Sequence, residues 1–276
     1  MNINNIAKKQ EEQSNVVQLV AVNGKIQKQT KKYNKDGSIK LTHNNKVSGK
    51  DSEVYAFTKK EEIAAMIRVF DKHIEEAPDA SKRQIAYRNK LLFLIGINVG
   101  IRGSDLRTLK WSFFFQDNGK ERTFRDFYTL QPIKQRKQKK FVKLFFNQTV
   151  RKAILDYINK YPIGNLNDYL FTSRKGDKPI VVASLWRIIK ITALEAGIKQ
   201  NVGSHSLRKS FGYWCWHNAE NKDEALVKLQ FIFNHSSTQT TMRYIGLMDN
   251  EIEDMFNSIE LGLDCIIDEE EVLSNE

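Results

Sequence analysis

Cysteine is scarce: the 276 residues hold two, Cys215 and Cys265. Neither has a CxxC partner or a histidine at ligand spacing, which excludes a disulfide framework and a structural zinc site as the source of stability. Two reduced thiols of a cytosolic protein are expected. Long apolar runs are missing too. The first thirty residues lack the uninterrupted apolar stretch of a secretory leader. No segment approaches the roughly 18 to 20 apolar residues needed to span a bilayer. A cytoplasmic protein without a membrane partner is expected, and no internal repeat or heptad run points to a solenoid or coiled coil.

Charge is lacking in a more informative way. Residues 251–276 carry ten acids and no base, whereas residues 1–50 carry ten lysines against three acids. With a net charge of +11, the segment between them keeps an excess of +14. Such an excess on a folded middle attracts a polyanion, and nucleic acid is the usual one. Charge alone fits a ribosomal or generic RNA-binding protein equally well, so it narrows the partner and not the chemistry.

The first fifty residues, rich in Lys, Asn and Gln, read as a largely disordered basic arm, in which VVQLVAV followed by NGK can form a strand and a tight turn. At FTKKEEIAAMIRVF the pattern becomes helical, with Thr58 as the expected cap and Ile63, Met66, Ile67 and Phe70 at helical spacing. YRNKLLFLIGINVG predicts a mostly buried helix closed by Gly100, and SDLRTLKW a further helix capped by Ser104. Between Arg122 and Phe146 the period turns strand-like, which predicts one small sheet around a very basic connection. TVRKAILDYINKY and SLWRIIKITALEAGI return to helix, the latter stopped by Gly197. DYLFTSRKGDKPI reads as an extended piece with a glycine turn, and the rest is helical apart from a corner at NHSS. The fold class expected is mainly α with a small antiparallel β-sheet, an α+β chain.

Three short stretches, beside the very basic connection, carry chemistry. GIRGSDLRTL puts Arg102 where one helix ends and another begins, and SHSLRKSF sets His205 and Arg208 one turn apart on one face. Each is by itself an ordinary surface or interior polar group. Two guanidinium forks and a histidine converging on one point would instead clamp a single phosphodiester. In NHSSTQTTMRY, Tyr244 follows His235 by nine positions inside a polar stretch, an unusual setting for a core tyrosine. A phenol with a pKa near 10 is a poor nucleophile at neutral pH unless its proton is removed or its anion is stabilised by nearby cations.

Taken in order, these stretches resemble the tyrosine recombinase family, the phage integrases and their relatives, over roughly residues 55 to 250. GIRGSDL is similar to the family's first arginine box, KQKKFVKL to its lysine hairpin, HSLR to its second box and NHSSTQTTMRY to its final histidine and tyrosine. The resemblance implies the DNA breaking-rejoining catalytic fold shared with type IB topoisomerases. It implies that Arg102 and Arg208 grip the scissile phosphate, that Asp105 supports the fold around the first arginine, and that His205 and His235 complete the acid, base and hydrogen-bonding set. Tyr244 would be the nucleophile of a 3′-phosphotyrosyl intermediate, with no metal, ATP or other cofactor. For the lysine it implies Lys137, five and seven residues ahead of Val142 and Leu144; Lys134, Lys139 and Lys140 are alternatives, and Lys134, Arg136, Lys139 and Lys140 are expected to touch the DNA backbone. The implied partners are double-stranded DNA with a specific recombination site and three further copies of the chain, in a bacterial or phage-encoded, nucleoid-associated protein. Type IB-like relaxation of DNA, or a non-catalytic DNA-binding regulator on the same fold, are the rival readings.

Two departures from the family pattern stand out. Asn234 replaces the usual glycine before the last histidine; asparagine tolerates a left-handed backbone, so little disturbance is expected. In place of the usual helical DNA-clamping domain there is only the basic arm of residues 1–53, as in short, catalytic-domain-only members such as fimbrial inversion recombinases, or in a fragment of a mobile element's enzyme. The expected organisation is that arm, a catalytic domain over 54–250, and an acidic helix and tail over 251–276, with Ile252, Met255, Phe256 and Ile259 as an apolar stripe.

Overall fold

Where the polar arm gives way to helical periodicity, helix α1 forms over Lys60–Glu75 and buries Met66, Phe70 and Ile74, four residues apart. The computed structural model describes residues 17–22, 25–30, 53–117, 119, 121–134, 140–173, 176–247, 256 and 258. Lys59, not Thr58, holds the cap position of α1, because the Glu62 carboxylate accepts its backbone N–H at 3.4 Å. Helix α2, Ala80–Val99, begins where Asp79 accepts the Lys82 N–H and ends at Gly100, whose φ of 66° is left-handed. A side chain at Gly100 would also run into the Phe211 ring.

The helix expected over SDLRTLKW is a single turn, α3, Gly103–Leu106, with Arg102 and not Ser104 at its cap position. Tertiary backbone pairing stops it. Leu109 accepts the Leu170 N–H at 2.8 Å and Trp111 donates to Asp168 at 3.2 Å, so the chain is drawn straight and then into a 3₁₀ turn, Trp111–Phe113. Nor is there one small sheet between Arg122 and Phe146. Strand β3, Phe115–Asp117, pairs with β4, Arg122–Phe124, and β5, Phe127–Leu130, pairs separately with β6, Val142–Phe145. Arg125, between the ribbons, donates its N–H to Phe114 and its guanidinium to Ser112 and Phe115, which folds the first ribbon back on its own 3₁₀ turn. Packing of Phe113, Phe114, Phe124, Tyr128 and Phe146 fills the angle between them.

Helix α4, Gln148–Lys160, follows an Asn147 cap; a third ribbon joins β7, Thr172–Ser173, to β8, Gly176–Pro179. Helices α5, Val182–Glu195, α6, Ser204–His217, α7, Lys222–Phe233, and α8, Thr238–Ile245, complete the order. In the arm, VVQLVAV supplies strand β1, Val17–Val22, which pairs antiparallel with β2, Lys25–Thr30. The chain divides into two compact units, Met1–Ser52 and Glu53–Glu276. Of the acidic segment over 251–276, Phe256 and Ser258 alone are described, so the apolar stripe expected there otherwise lies outside the described residues. Among the described residues no helix is long and apolar enough to cross a membrane.

The second unit has two apolar cores. The larger, including Phe57, Phe70, Phe93, Phe171, Leu185 and Ile189, joins α1, α2, α4 and α5 to the ribbons. The smaller, Leu226, Leu229, Phe233, Ile245 and Leu247, lies under α6, α7 and α8, and Tyr244 packs on it. Gly212 of α6 lets these three helices meet. A Cβ there would stand 2.6 Å from Ile245 and 2.8 Å from the Phe233 ring. Alanine in a helix interior gains about 0.5–1 kcal/mol over glycine, whereas overpacking a tight core costs about 1–3 kcal/mol. Gly212→Ala is therefore expected to be destabilising by about 1–2 kcal/mol, read as a lower urea midpoint at unchanged slope.

Candidate active site

Helix α7 ends at Asn234, which adopts φ 55° and ψ 51°. In that left-handed turn the Asn234 N–H returns to Phe231 and the His235 N–H to Gln230 at 3.0 Å, leaving the Phe233 carbonyl without an intrahelical partner. Two arginines take it. Arg208, from the first turns of α6, donates Nη2 to the Phe233 carbonyl at 3.1 Å and Nη1 to the Gly100 carbonyl at 2.6 Å. Arg102, at the cap of α3, donates Nη2 to the same Phe233 oxygen at 3.3 Å. A helix C-terminus carries partial negative charge, so the cations suit it. The Phe233 ring adds a cation–π contact, 4.2 Å from the Arg208 guanidinium carbon.

Among the described residues neither Arg102 nor Arg208 has a carboxylate within salt-bridge distance, although Arg208 is only 5% exposed. Burial lowers the pKa of Arg208 to about 10, with repulsion from Arg102 adding to it and Tyr244 and Asp105 opposing it. It stays charged at neutral pH. Asp105 is buried, and its Oδ1 accepts the Ile133 N–H at 2.8 Å, so it ties the turn that carries Arg102 to the chain leaving β5.

Tyr244 stands on α8, its ring edge-on to Phe233 and to His235 at centroid distances of 5.4 and 5.1 Å. Its hydroxyl lies within electrostatic reach of Arg208 and Arg102. Burial raises the phenol pKa, while Arg208 and Arg102 pull it back, so the hydroxyl is protonated at neutral pH. The Lys209 ammonium, paired with Glu53 at 2.9 Å, lies 5.6 Å from the same ring.

His235 faces Thr241, Nδ1 to Oγ1, at 3.1 Å. The Thr241 hydroxyl is also 3.2 Å from the Ser237 carbonyl, and when its proton goes there it accepts from His235 Nδ1–H and the lone pair sits on Nε2. Burial first, then Arg208 and Arg102, lower the His235 pKa to about 4. His205, open to solvent in the first turn of α6, is also held below the usual histidine range, by partial burial and then by Lys134, Arg208, Lys209 and Arg102.

The structure thus brings Arg102, Arg208, His235 and Tyr244 to one corner, with His205 three residues before Arg208 on the same helix. Lys134 and Lys140 are exposed at the two ends of the basic connection, and Lys140 Nζ donates to Asn234 Oδ1 at 2.8 Å. Arg136, Lys137 and Lys139 lie outside the described residues. Val142 and Leu144, the apolar positions that follow, are half-buried and buried on β6. Reading the sequence for side chains misses the Phe233 and Gly100 carbonyls, which no residue type announces, and Thr241, whose only signal is its place one turn before the tyrosine. The cavity behind the arginines, about 10 Å³, holds no more than a water molecule, so a substrate meets the guanidiniums from the solvent side. A wider groove between α2 and α4, about 680 Å³ and lined by Tyr87, Lys90, Lys152 and Asp156, contains none of these groups.

The depressed pKa of His235 has a consequence for stability. Unfolded, the imidazole titrates near 6.5; folded, it titrates near 4. Between those values the unfolded chain binds more protons, so stability present above pH 6.5 is lost as pH falls toward 4. His235→Gln is expected to lose less of its melting temperature than the unmodified protein between pH 7 and pH 4.5, as differential scanning calorimetry would record.

The sequence profile of the phage integrase family matches residues 57–251. The chain is 32% identical over 160 residues to the probable integrase/recombinase YoeC of Bacillus subtilis strain 168, covering 58% of this chain and 78% of that protein. It is 32% identical over 92 residues to tyrosine recombinase XerD of Staphylococcus aureus strain Mu50, 33% of this chain and 30% of XerD. Among solved structures, the XerA recombinase superimposes with a TM-score of 0.52 at 21% identity, over 74% of this chain and 65% of XerA. The XerH site-specific recombinase bound to its difH substrate, a pre-cleavage complex, gives a TM-score of 0.50 at 18% identity, over 83% of this chain and 60% of XerH. The chain therefore spans less than two thirds of either solved recombinase and under a third of XerD. At these identities the two structures speak for the fold, and the profile and the sequence identity to YoeC speak for descent: the chain belongs to the phage integrase family.

Proposed function

We propose that the protein is a site-specific DNA recombinase that breaks and rejoins strands through a covalent bond between Tyr244 and a DNA 3′ phosphate. One observation carries the reading: two guanidiniums with no carboxylate partner among the described residues share the Phe233 carbonyl, and the Tyr244 phenol packs edge-on to the Phe233 ring within their electrostatic reach. A phosphodiester approaching from solvent supplies the missing anion, and its non-bridging oxygens match the planar forks. The arginines then balance the charge that grows on those oxygens as the phosphorus becomes five-coordinate.

In the cleavage step the phenol oxygen bonds to phosphorus and the bond from phosphorus to the 5′ oxygen breaks. His205, neutral and open to solvent, takes the phenol proton, and Lys137 delivers a proton to the departing 5′ oxygen. The phosphotyrosyl bond keeps the energy of the broken diester, so attack by another 5′ hydroxyl reseals DNA by the reverse of these transfers. His235 orients the phosphate, and Lys134, Arg136, Lys139 and Lys140 bind backbone phosphates. Residues 54–250 form the catalytic domain, the basic arm before it adds non-specific phosphate contact, and four copies assemble on two specific sites in the nucleoid, with the acidic segment after residue 250 serving assembly.

A sequence recovered by covalent trapping on sheared genomic DNA, rebuilt as a duplex nicked beside the scissile bond, tests this directly. The unmodified protein is expected to accumulate as a covalent adduct on denaturing gels. Tyr244→Phe should bind the duplex with similar affinity, since affinity rests on lysine and arginine contacts to phosphates, and should form no adduct. Adduct formation by that variant would sink the assignment.

For Lys137, the test is the leaving group. Without a proton donor the alkoxide departs about 10² to 10⁴ times more slowly, whereas a sulfur at the 5′ bridging position leaves as a thiolate unaided. Lys137→Ala is expected to be slow on ordinary DNA and to recover on the 5′-phosphorothiolate. Lys134→Ala and Lys139→Ala should lose affinity in a salt-dependent way without such selective rescue; rescue of either would move the proton donor along the connection.

A further inference from the structure

The left-handed turn at Asn234 needs no side chain. Glycine would adopt a φ of 55° with less strain. What asparagine adds is a carboxamide, and its oxygen accepts the Lys140 ammonium at 2.8 Å, across 94 residues of sequence. Lys140 stands just ahead of β6, and Asn234 stands between Phe233, whose carbonyl takes both arginines, and His235. The far end of the same basic connection is fastened in parallel fashion: the Ile133 N–H goes to Asp105, in the one-turn helix capped by Arg102.

The ribbon needs such fastening. Each of its strands has four residues, and an isolated ribbon of that size is marginal in water. One face is held by Leu144 in the core, but Phe141 and Phe145 are 60% and 65% exposed, so the other face has no covering among the described residues. Lys140 is exposed, and a solvated lysine tied to a neutral amide is ordinarily a weak contact. Here it is the second of two contacts, after that of Ile133 with Asp105, that tie the inner ends of β5 and β6 to the corner.

We propose that Asn234 is a positioning residue for strand exchange: its carboxamide holds Lys140, and thereby the leading end of β6, against the corner formed by Arg102, Arg208 and His235. This rests on the recombinase reading above. It assigns Asn234 no contact with DNA and no proton to transfer.

Asn234→Gly removes the carboxamide and keeps the turn, so it separates this role from a structural one. On the nicked duplex at saturating protein, Asn234→Gly is expected to form the covalent adduct about 2- to 12-fold more slowly, the range for losing one ordinary hydrogen bond, with unchanged duplex affinity and melting temperature. Lys140→Ala should be slowed to a similar degree, and Asn234→Gly/Lys140→Ala no more than the slower single variant, since both remove one contact. A rate for Asn234→Gly equal to that of the unmodified protein, or effects that multiply in the double variant, would overturn the proposal. A readout without DNA keeps the contact separable from the chemistry. Brief acetylation with acetic anhydride, followed by peptide mass spectrometry, should modify Lys140 faster in Asn234→Gly than in the unmodified protein, with Lys134 unchanged; equal rates at Lys140 would also overturn it. If the unmodified protein formed no adduct at all, the recombinase reading would fall, and the acetylation rates would still decide whether Asn234 holds Lys140.

Discussion

Two positive charges meeting on one backbone oxygen is the arrangement around which this molecule is built. The Phe233 carbonyl accepts from Arg102 and Arg208 only because α7 stops there, and it stops because Asn234 turns the chain left-handed. Phe233 also supplies a ring beneath Arg208 and a wall for Tyr244. For all of this to fit, α6 has to approach α7 and α8 at a residue without a Cβ, Gly212, and α2 has to release its last turn at Gly100, whose carbonyl is the second acceptor of Arg208. Distant parts of the chain are committed to one small volume.

That volume stores electrostatic imbalance. Arg102 and Arg208 repel each other, lower the pKa values of His205 and His235, and limit how far burial can raise that of Tyr244. Both imidazoles are neutral and the phenol is protonated while no anion is bound. A phosphodiester between the guanidiniums, with one negative charge against two positive ones, would weaken the local field, easing the protonation of the imidazoles and lessening the stabilisation of a phenolate. Protonation at this corner is therefore coupled to the binding of an anion there.

Local chemistry explains why so much could be read without coordinates. Helix periods at Met66, Phe70 and Ile74, the glycine stop at Gly100, the strand residues of VVQLVAV, and the left-handed tolerance of Asn234 depend on neighbours within a few positions. The boxes containing Arg102, His205, Arg208, His235 and Tyr244 were legible for the same reason: each is a short pattern, and their order along the chain is itself information. Legibility failed where a distant segment set the outcome. SDLRTLKW has the composition of a helix, yet Leu170 and Asp168 claim its backbone and only one turn survives. The strand-like stretch before Phe146 yields two ribbons in place of one sheet because Arg125 binds carbonyls on its own side of the bend.

By itself, then, the sequence determined the helical class, the basic character that selects a polyanion, and the residue types able to hold a phosphate and attack it, since propensity, charge and functional groups are properties of residues and their near neighbours. Only the tertiary structure decided that two arginines 106 positions apart share one carbonyl, that Thr241 meets the Nδ1 of His235, and that Asn234 accepts from Lys140. Backbone oxygens carry no signature in the residue alphabet, and a hydrogen bond or a pKa depends on distances that exist only once the chain has closed on itself.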